Sequence, residues 1–286
     1  MTFTKYGAVI GLGNSGEFDF VTIDYSSLVY VSGRFYCFYA AYGGAGYKIG
    51  LAVSRDGFTW TKYGVVIDNG AVGEFDSAGV YNSSVIYHNG LFYLYYIGGS
   101  AGRYTIGLAK SRDGVAWTKY GRVIDYGITG EFDASGLGGM SVIFYHGKFW
   151  MYYTGYGNSK HTVGLAISSD GFTWTKYGRV VDIGSGSDFD LNAVLNPSVI
   201  QRDGLLCMYY QGEKGTVKSI GLAKSRDGLT WTKYGAVVTK GSGAEFDASG
   251  AFSPYAVNLH DKTLMMYNGS LSPVDTLGLA VSPDGF

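Results

Sequence analysis

Carboxylates recur in this sequence every 57 residues, within the phrase Gly-Glu-Phe-Asp or a close variant of it. Carboxyl groups can act as general acids and bases, hold metal ions or accept hydrogen bonds from ligand hydroxyls. Two repeated positions carry them: Glu17, Glu74, Glu131, Asp188 and Glu245 at the first, and Asp19, Asp76, Asp133, Asp190 and Asp247 at the second. Because every unit has the phrase, we expect a scaffold role, with Phe wedged between units and Asp bonding a turn. The alternative is a lectin with one sugar site per unit, which would also repeat its ligand-binding residues.

The elements that position these residues follow from a second repeated phrase, Trp-Thr-Lys-Tyr-Gly. It contains Trp60, Trp117, Trp174 and Trp231, and a fifth copy is split between the two ends of the chain. In the unit that begins at Gly73, segments rich in Val, Ile, Tyr and Phe predict four strands, roughly Asn82–Tyr87, Gly90–Tyr96, Tyr104–Ser111 and Trp117–Ile124. Five such units predict an all-β fold, a five-bladed β-propeller with four antiparallel strands per blade.

The split copy predicts how the ring closes. We expect Phe3–Ile10 to pair as the outer strand of the last blade beside Leu277–Ser282, because this pairing removes an open strand edge. Each unit needs its neighbours to bury the faces of its sheet, so residues 1–286 are expected to form a single domain.

The residues before each tryptophan follow the pattern Ser-x-Asp-Gly-x-x-Trp. Ser and Asp side chains can bond the turn backbone, Gly tolerates a positive φ, and Trp can cover the hairpin. The phrase resembles the Asp box of sialidases, although it is one residue shorter. Its presence in every unit favours a scaffold role over an active site.

A broader resemblance covers the whole chain. One blade contains the run Asn196-Pro197-Ser198-Val199-Ile200, then Met208-Tyr209-Tyr210, then Ile220-Gly221-Leu222-Ala223 before its Ser-x-Asp-Gly turn. This order resembles the five-bladed propellers of glycoside hydrolase families 32, 43, 68, 117 and 130. The resemblance implies carboxylates at the mouth of a central funnel: an Asp just before a Pro as nucleophile or base, a second Asp that orients or tunes, and a Glu as acid.

This chain departs from that pattern at the projected Asp-Pro position, which is occupied by Tyr25, Asn82, Gly139, Asn196 and Ser253. None of these residues is acidic, and an asparagine amide can bond a hydroxyl but cannot act as base or nucleophile. Asp24 lies one residue out of register, so strand alternation predicts that it turns away from the funnel. The departure argues against hydrolysis.

The loops that join the second and third strands differ between units and are expected on the same face as the funnel. They carry Tyr42, Arg103, Lys160, His161, Glu213, Lys214 and Asp275. Glu213 is the one Glu outside the repeated position and is therefore the best candidate acid. Unselected surface variation would explain the same scatter.

Charge and composition exclude several functions. A net charge of −1 without a run of Lys or Arg argues against nucleic acid and anionic membranes as partners. We expect no membrane-spanning segment and no signal peptide, and the location stays open between cytoplasmic and virion-associated. Cys37 and Cys207 are expected as buried free thiols, since a disulfide would need closely spaced Cα atoms. The histidine spacing predicts no metal site, and we expect no cofactor.

Three function classes remain. The first is a non-catalytic carbohydrate-binding propeller whose candidate ligand-binding residues are Tyr25, Tyr42, Asn82, Asn196 and His161. The second is a structural or adsorption protein, for example on a virus particle. The third is a divergent glycoside hydrolase that uses Asp24 and Glu213. The sequence favours them in this order and leaves the oligomeric state open.

Overall fold

The computed structural model describes residues 3–157, 160–259, 262–271 and 274–283. The strands of these residues, in chain order, are β1 Thr4–Ile10, β2 Thr22–Val31, β3 Arg34–Tyr42, β4 Tyr47–Ser54, β5 Thr61–Ile67, β6 Gly79–His88, β7 Leu91–Ser100, β8 Arg103–Ser111, β9 Thr118–Ile124, β10 Gly136–Tyr145, β11 Lys148–Tyr156, β12 His161–Ser168, β13 Thr175–Val181, β14 Ala193–Arg202, β15 Leu205–Lys214, β16 Val217–Ser225, β17 Thr232–Val238, β18 Gly250–Leu259, β19 Lys262–Leu271 and β20 Val274–Ser282.

The strands form five four-stranded antiparallel blades, and one parallel bridge, His161 with Ala193, joins blades 3 and 4. Blade 1 is β2–β5, blade 2 is β6–β9, blade 3 is β10–β13, blade 4 is β14–β17, and blade 5 is β18–β20 with β1. The first strands of the blades, β2, β6, β10, β14 and β18, pack side by side, and β18 returns to β2. The expected five-bladed propeller is therefore confirmed. In blade 2 the inner strand begins at Gly79, three residues before the predicted start.

The predicted closure is also confirmed, because β1 is the outer strand of blade 5. It pairs antiparallel with β20, with Lys5 opposite Ala280 and Ile10 opposite Leu277. Ile10 is buried in an apolar cluster shared by blades 5 and 1. The Lys5 Nζ lies 2.7 Å from the Asp247 carboxylate, so the first strand also completes an ion pair.

The repeated acidic phrase is part of the scaffold, although Asp does not bond a turn as expected. In blade 2 the buried Asp76 Oδ2 accepts hydrogen bonds from the Tyr96 hydroxyl at 2.9 Å and from the Lys119 Nζ at 2.7 Å. Glu74 bonds the turn instead, through the Ala71 N–H at 2.7 Å. Phe75 packs in the cluster between blades 1 and 2, as predicted.

The Ser-x-Asp-Gly turns adopt the expected geometry. In blade 1 the Ser54 hydroxyl accepts from the Gly57 N–H at 2.9 Å, and Asp56 Oδ1 accepts from the N–H groups of Phe58 and Thr59 at 2.8 Å each. Gly57 has a φ of 81°, which explains the glycine. The Trp60 indole donates to the Gly57 carbonyl at 3.0 Å. These turns lie at the lower end of the molecule, opposite the start of the inner strands, which we call the upper end.

Tyr255 closes the central channel. It occupies the inner-strand position at which the other units carry Ser27, Ser84, Ser141 and Ser198. Its hydroxyl crosses from blade 5 to blade 2, where it bonds the Ser84 hydroxyl at 3.1 Å and the Val85 carbonyl at 3.2 Å. A depression at the upper end is therefore blind.

Cys37 and Cys207 are buried free thiols, as expected. Within the described ranges no cluster of three or more His, Cys, Asp or Glu residues could hold a metal ion. In the same part of the chain we find no helix long and apolar enough to cross a membrane.

Candidate functional site

A cavity of about 470 Å³ opens at the upper end of the funnel, off-centre over blades 1 to 3. This volume lies within the range of small-molecule sites. The cavity is lined by Asp24, Tyr25, Tyr47, Tyr81, Asn82, Ile97, Gly102, Tyr104, Ser135, Leu137, Gly138, Gly139, Tyr156 and Asn196. Three of the five proposed ligand-binding residues, Tyr25, Asn82 and Asn196, therefore lie together in one site.

The floor of the cavity is built from bulges in the inner strands. In β2, Asp24 pairs with Ala40 and Ser26 pairs with Tyr39, which leaves Tyr25 as an extra residue. Tyr25 has a positive φ of 43°. Its N–H is held by the Asn268 Oδ1 of blade 5 at 2.9 Å, so the neighbouring blade supports this uncommon backbone conformation.

The same support is present at two further bulges and absent at the other two. The N–H of Asn196 is bonded by the Thr154 hydroxyl at 2.9 Å, and that of Ser253 by the Gln211 Oε1 at 3.3 Å, and both residues have positive φ. The residues that correspond to Asn268, Thr154 and Gln211 are Ala40 opposite Asn82 and Ile97 opposite Gly139, and their side chains have no hydrogen-bond acceptor. The bulge residues with positive φ are thus those whose N–H is bonded by a side chain of the neighbouring blade.

A chain of amides crosses the floor. The Asn82 Nδ2 donates to the Asn196 Oδ1 at 3.3 Å, and the Asn196 Nδ2 donates to the Gln211 Oε1 at 2.9 Å and to the Ser253 hydroxyl at 3.0 Å. Blade 3 contributes Gly139, where an added Cβ would lie 2.2 Å from the Asn196 Oδ1 and 2.3 Å from the Asn82 Nδ2. The glycine thus leaves room for the two amides to meet.

Five tyrosines form the wall of the cavity: Tyr25, Tyr47, Tyr81, Tyr104 and Tyr156. The ring centroids of Tyr47 and Tyr81 lie 5.0 Å apart, and those of Tyr81 and Tyr104 lie 5.5 Å apart. Sequence reasoning missed four of them, all except Tyr25. The signal was present, because Tyr47, Tyr104, His161, Lys218 and Asp275 occupy one repeated position at which the units differ.

Asp24 lines the cavity, contrary to the prediction that strand alternation turns it away. The bulge at Tyr25 interrupts the alternation, so adjacent residues both reach the cavity. Asp24 is 9% exposed, and its Oδ2 accepts from the Tyr47 hydroxyl at 2.8 Å and more weakly from Thr22 at 3.4 Å. Burial raises the pKa of Asp24 to about 6; the Tyr47 hydrogen bond opposes this rise, and the Asp275 carboxylate adds to it.

The remaining predicted site residues lie around the cavity and not among its lining residues. Tyr42 packs against Tyr47 with ring centroids 5.5 Å apart, and the exposed His161 packs against Tyr156 at 4.9 Å. Glu213 accepts a hydrogen bond from the Gln211 Nε2 at 2.7 Å, so it adjoins the amide chain from outside the cavity. The candidate acid pair, Asp24 and Glu213, therefore does not share the cavity wall.

Changing Asp24 to Asn should stabilise the folded protein at neutral pH. The pKa of Asp24 is about 6 in the folded protein and 3.8 ordinarily, so the folded protein binds the proton more tightly than the unfolded chain does. This proton stabilises the fold fully below pH 3.8, and the stabilisation is lost as the pH rises through about 6. Asn has no such loss. We expect urea unfolding to give Asp24→Asn an advantage of about 1–3 kcal/mol at pH 7.5 that disappears near pH 4.

The control for this change is Asp125→Asn, which alters a carboxylate whose side chain is 46% exposed at the upper end. It should give no pH-dependent gain of this size. If the parent and Asp24→Asn have the same free energy of unfolding at pH 7.5, Asp24 is not a buried carboxylate that lacks a counter-ion.

These features define a five-bladed propeller with a blind, tyrosine-lined cavity at one end. Residues 85–244, more than half of the chain, match the glycosyl hydrolases family 32 N-terminal domain. The chain therefore belongs to this family.

Individual proteins are similar to this chain over different lengths. An uncharacterized protein of Mycobacterium tuberculosis (strain CDC 1551 / Oshkosh) is 29% identical over 233 residues, which cover 76% of this chain and 75% of that protein. A 1,2-beta-oligomannan phosphorylase of Thermoanaerobacter sp. (strain X514) is 32% identical over 123 residues, 39% of this chain and 41% of that protein. A solved structure of the GH130 family, a family of mannoside phosphorylases and glycoside hydrolases, aligns with a TM-score of 0.80 at 18% identity, covering 98% of this chain and 93% of that one. At this identity the structural match concerns the fold.

Proposed function

We propose that this protein binds a glycan in the tyrosine-lined cavity and does not hydrolyse it. The observation that carries the proposal is a wall of five tyrosines around a cavity whose lining, among the described residues, includes one carboxyl group, that of Asp24. Flat aromatic faces with a few placed polar groups suit the two sides of a sugar ring. Membership of a glycosyl hydrolase family, and the oligomannan phosphorylase among the relatives, support a glycan as the ligand.

The polar groups of the cavity suit binding better than hydrolysis. Glycoside hydrolysis generally needs two carboxyl groups on opposite sides of the scissile bond, separated by roughly 5–9.5 Å. At the bulges of the inner strands this chain carries Tyr, Asn, Gly, Asn and Ser, and the Asn196 amide is already bonded within the protein. Asn82 can hold a sugar hydroxyl, and the Asn196 Oδ1, which accepts one bond from Asn82, can accept one more, but neither amide can act as an acid or a base.

One observation favours a second function, a divergent glycoside hydrolase. A carboxyl group with a pKa of about 6 in an aromatic cavity has the properties of a general acid at neutral pH. Asp24 would then be the acid or base, and Glu213, which lies beside the amide chain, would be its partner.

A glycan array followed by calorimetric titration of the best ligand tests the proposal. We expect Tyr81→Ala and Tyr104→Ala to weaken binding about tenfold each, which corresponds to about 1.4 kcal/mol, through loss of the stacking face. Asn82→Ala and Asn196→Ala should weaken it by about 1–3 kcal/mol each if their amides hold buried hydroxyls.

Matched controls separate the cavity from the rest of the surface. Tyr177→Ala removes a ring that is 59% exposed on the outer strand of blade 3, and Asn14→Ala removes an exposed amide, so both should bind as the parent does. A panel of chromogenic furanosides and pyranosides should give no turnover above background. The absence of any glycan ligand would refute the binding role. Turnover that is abolished by Asp24→Asn or Glu213→Gln would replace it with hydrolysis.

A further inference from the structure

Asp24 differs from every other deeply buried carboxylate among the described residues. The five aspartates of the repeated phrase are about 1% exposed, and each has its own lysine within 2.6–2.7 Å. Asp24 is the sixth buried aspartate, and no ion pair in the described part of the chain includes it. A buried carboxylate without a cation costs folding free energy, so its retention in a cavity needs another explanation.

The groups around Asp24 leave one side of its carboxylate open. Both hydrogen bonds from its neighbours reach Oδ2, from Tyr47 on β4 and from Thr22 on its own strand. The charged groups that face it are Asp275 on β20, which increases the negative potential, and Lys218 on β16, whose opposing influence is the weakest of those acting on it. Oδ1 receives no hydrogen bond from the described residues, and Asp24 lines the cavity.

The wall of that cavity can also hold a positive charge. Tyrosine faces attract cations through the negative potential above the ring, and rings arranged around a cavity form the aromatic cages that recognise ammonium groups. Five tyrosines surround the space beside Asp24, and no Lys or Arg is among the residues that line it in the described chain. The lining of the cavity thus combines a carboxylate outside any ion pair with aromatic rings and, among the described residues, no Lys or Arg.

We propose that the ligand is a cationic glycan, an amino sugar with a free ammonium group, and that Asp24 binds this ammonium within the tyrosine cage. The proposal rests on the glycan-binding role above and specifies its ligand class. A hexosamine offers apolar ring faces to the tyrosines and one charge to Asp24. Its N-acetylated counterpart has the same ring but a neutral amide, which leaves the carboxylate without a counter-ion.

Ionisation of Asp24 gives this binding a characteristic pH dependence. The ammonium is held only while the carboxylate is ionised, so affinity for an amino sugar should fall as the pH drops through about 6. Binding of a neutral sugar should not follow this profile. The pH dependence therefore distinguishes an ion pair from stacking alone.

Three matched ligand pairs test the proposal: glucosamine, galactosamine and mannosamine, each against its N-acetyl form, titrated calorimetrically at pH 7 and pH 5. We expect at least one pair to favour the free amine by tenfold or more at pH 7 and to lose most of this preference at pH 5. Asp24→Asn should remove the preference at both pH values while it keeps the hydrogen bond from Tyr47. Asp125→Asn changes the charge at the upper end without altering a residue that lines the cavity, so this variant should keep the preference for the free amine.

Each other outcome overturns the proposal. Equal affinity or a preference for the N-acetyl form in every pair that binds would refute the ammonium site and leave glycan binding intact. If other glycans of the array bind but no hexosamine does, the ammonium site is likewise refuted and glycan binding stands. If no sugar of the array or the pairs binds, glycan binding itself is refuted. A preference that survives in Asp24→Asn would assign the charge recognition to other residues and refute the role of Asp24.

Discussion

A protein without residues 1–10 should aggregate or lose most of its stability. The deletion removes β1, exposes the edge of β20 and leaves the buried Asp247 without the Lys5 ammonium at 2.7 Å. It also removes Ile10 from the cluster between blades 5 and 1. Loss of the Lys5 ammonium leaves the Asp247 carboxylate without its cation, which destabilises the fold, and an unpaired strand edge allows association with other chains. Urea unfolding and light scattering measure the two effects.

The control for this deletion is Tyr6→Ala in the same strand. The Tyr6 ring is 53% exposed, and its removal keeps the backbone pairing with β20, so we expect a loss of about 1 kcal/mol or less. If the truncated protein stays monomeric and unfolds at the same urea concentration as the parent, β1 does not close the ring in the way described.

Trp117→Ala should destabilise the protein by about 3 kcal/mol without changing ligand affinity. The Trp117 ring packs edge-on against Phe38 of blade 1 with centroids 5.3 Å apart, and its indole donates to the Gly114 carbonyl at 3.0 Å. The ring is partly buried, so the loss lies at the lower end of the range for Trp→Ala. Because this turn is at the end opposite the cavity, the folded variant should bind normally.

The measurement is urea unfolding with a titration of the folded variant. Thr118→Ala, an exposed neighbour in the same phrase, serves as the control and should change stability by no more than about 0.5 kcal/mol. Lost binding in a variant of normal stability would indicate that the repeated tryptophans are themselves ligand platforms.

The repeat made the scaffold predictable. Local patterns that occur once per unit predict the strand positions, the closure by β1 and the turns around Asp56. A pattern that is present in every blade indicates a structural role that every blade shares. The same argument explains the paired aspartates such as Asp76. Its partners Tyr96 and Lys119 belong to the same unit, so each blade builds the interaction from its own residues.

The candidate site was only partly predictable, because it depends on positions at which the units differ. Tyr25, Asn82 and Asn196 were identified from a projected inner-strand position, but the other four tyrosines of the wall were not, since they come from different strands of blades 1 to 3. Tyr47 and Tyr104 share a repeated position at which the units differ, but a difference between units does not by itself separate a ligand site from ordinary surface variation. Only the folded structure shows that these tyrosines lie around one cavity.

The sequence by itself determined that five similar blades close into a ring, since periodic apolar residues and repeated turns specify each blade through contacts within a unit or with its neighbours. Only the tertiary structure decided that Asp24 faces the cavity. Its orientation depends on the bulge at Tyr25, whose N–H is bonded by Asn268. Likewise Tyr255 closes the channel through a bond to Ser84 on a distant blade. Such contacts join residues far apart in the chain, and strand periodicity carries no information about them.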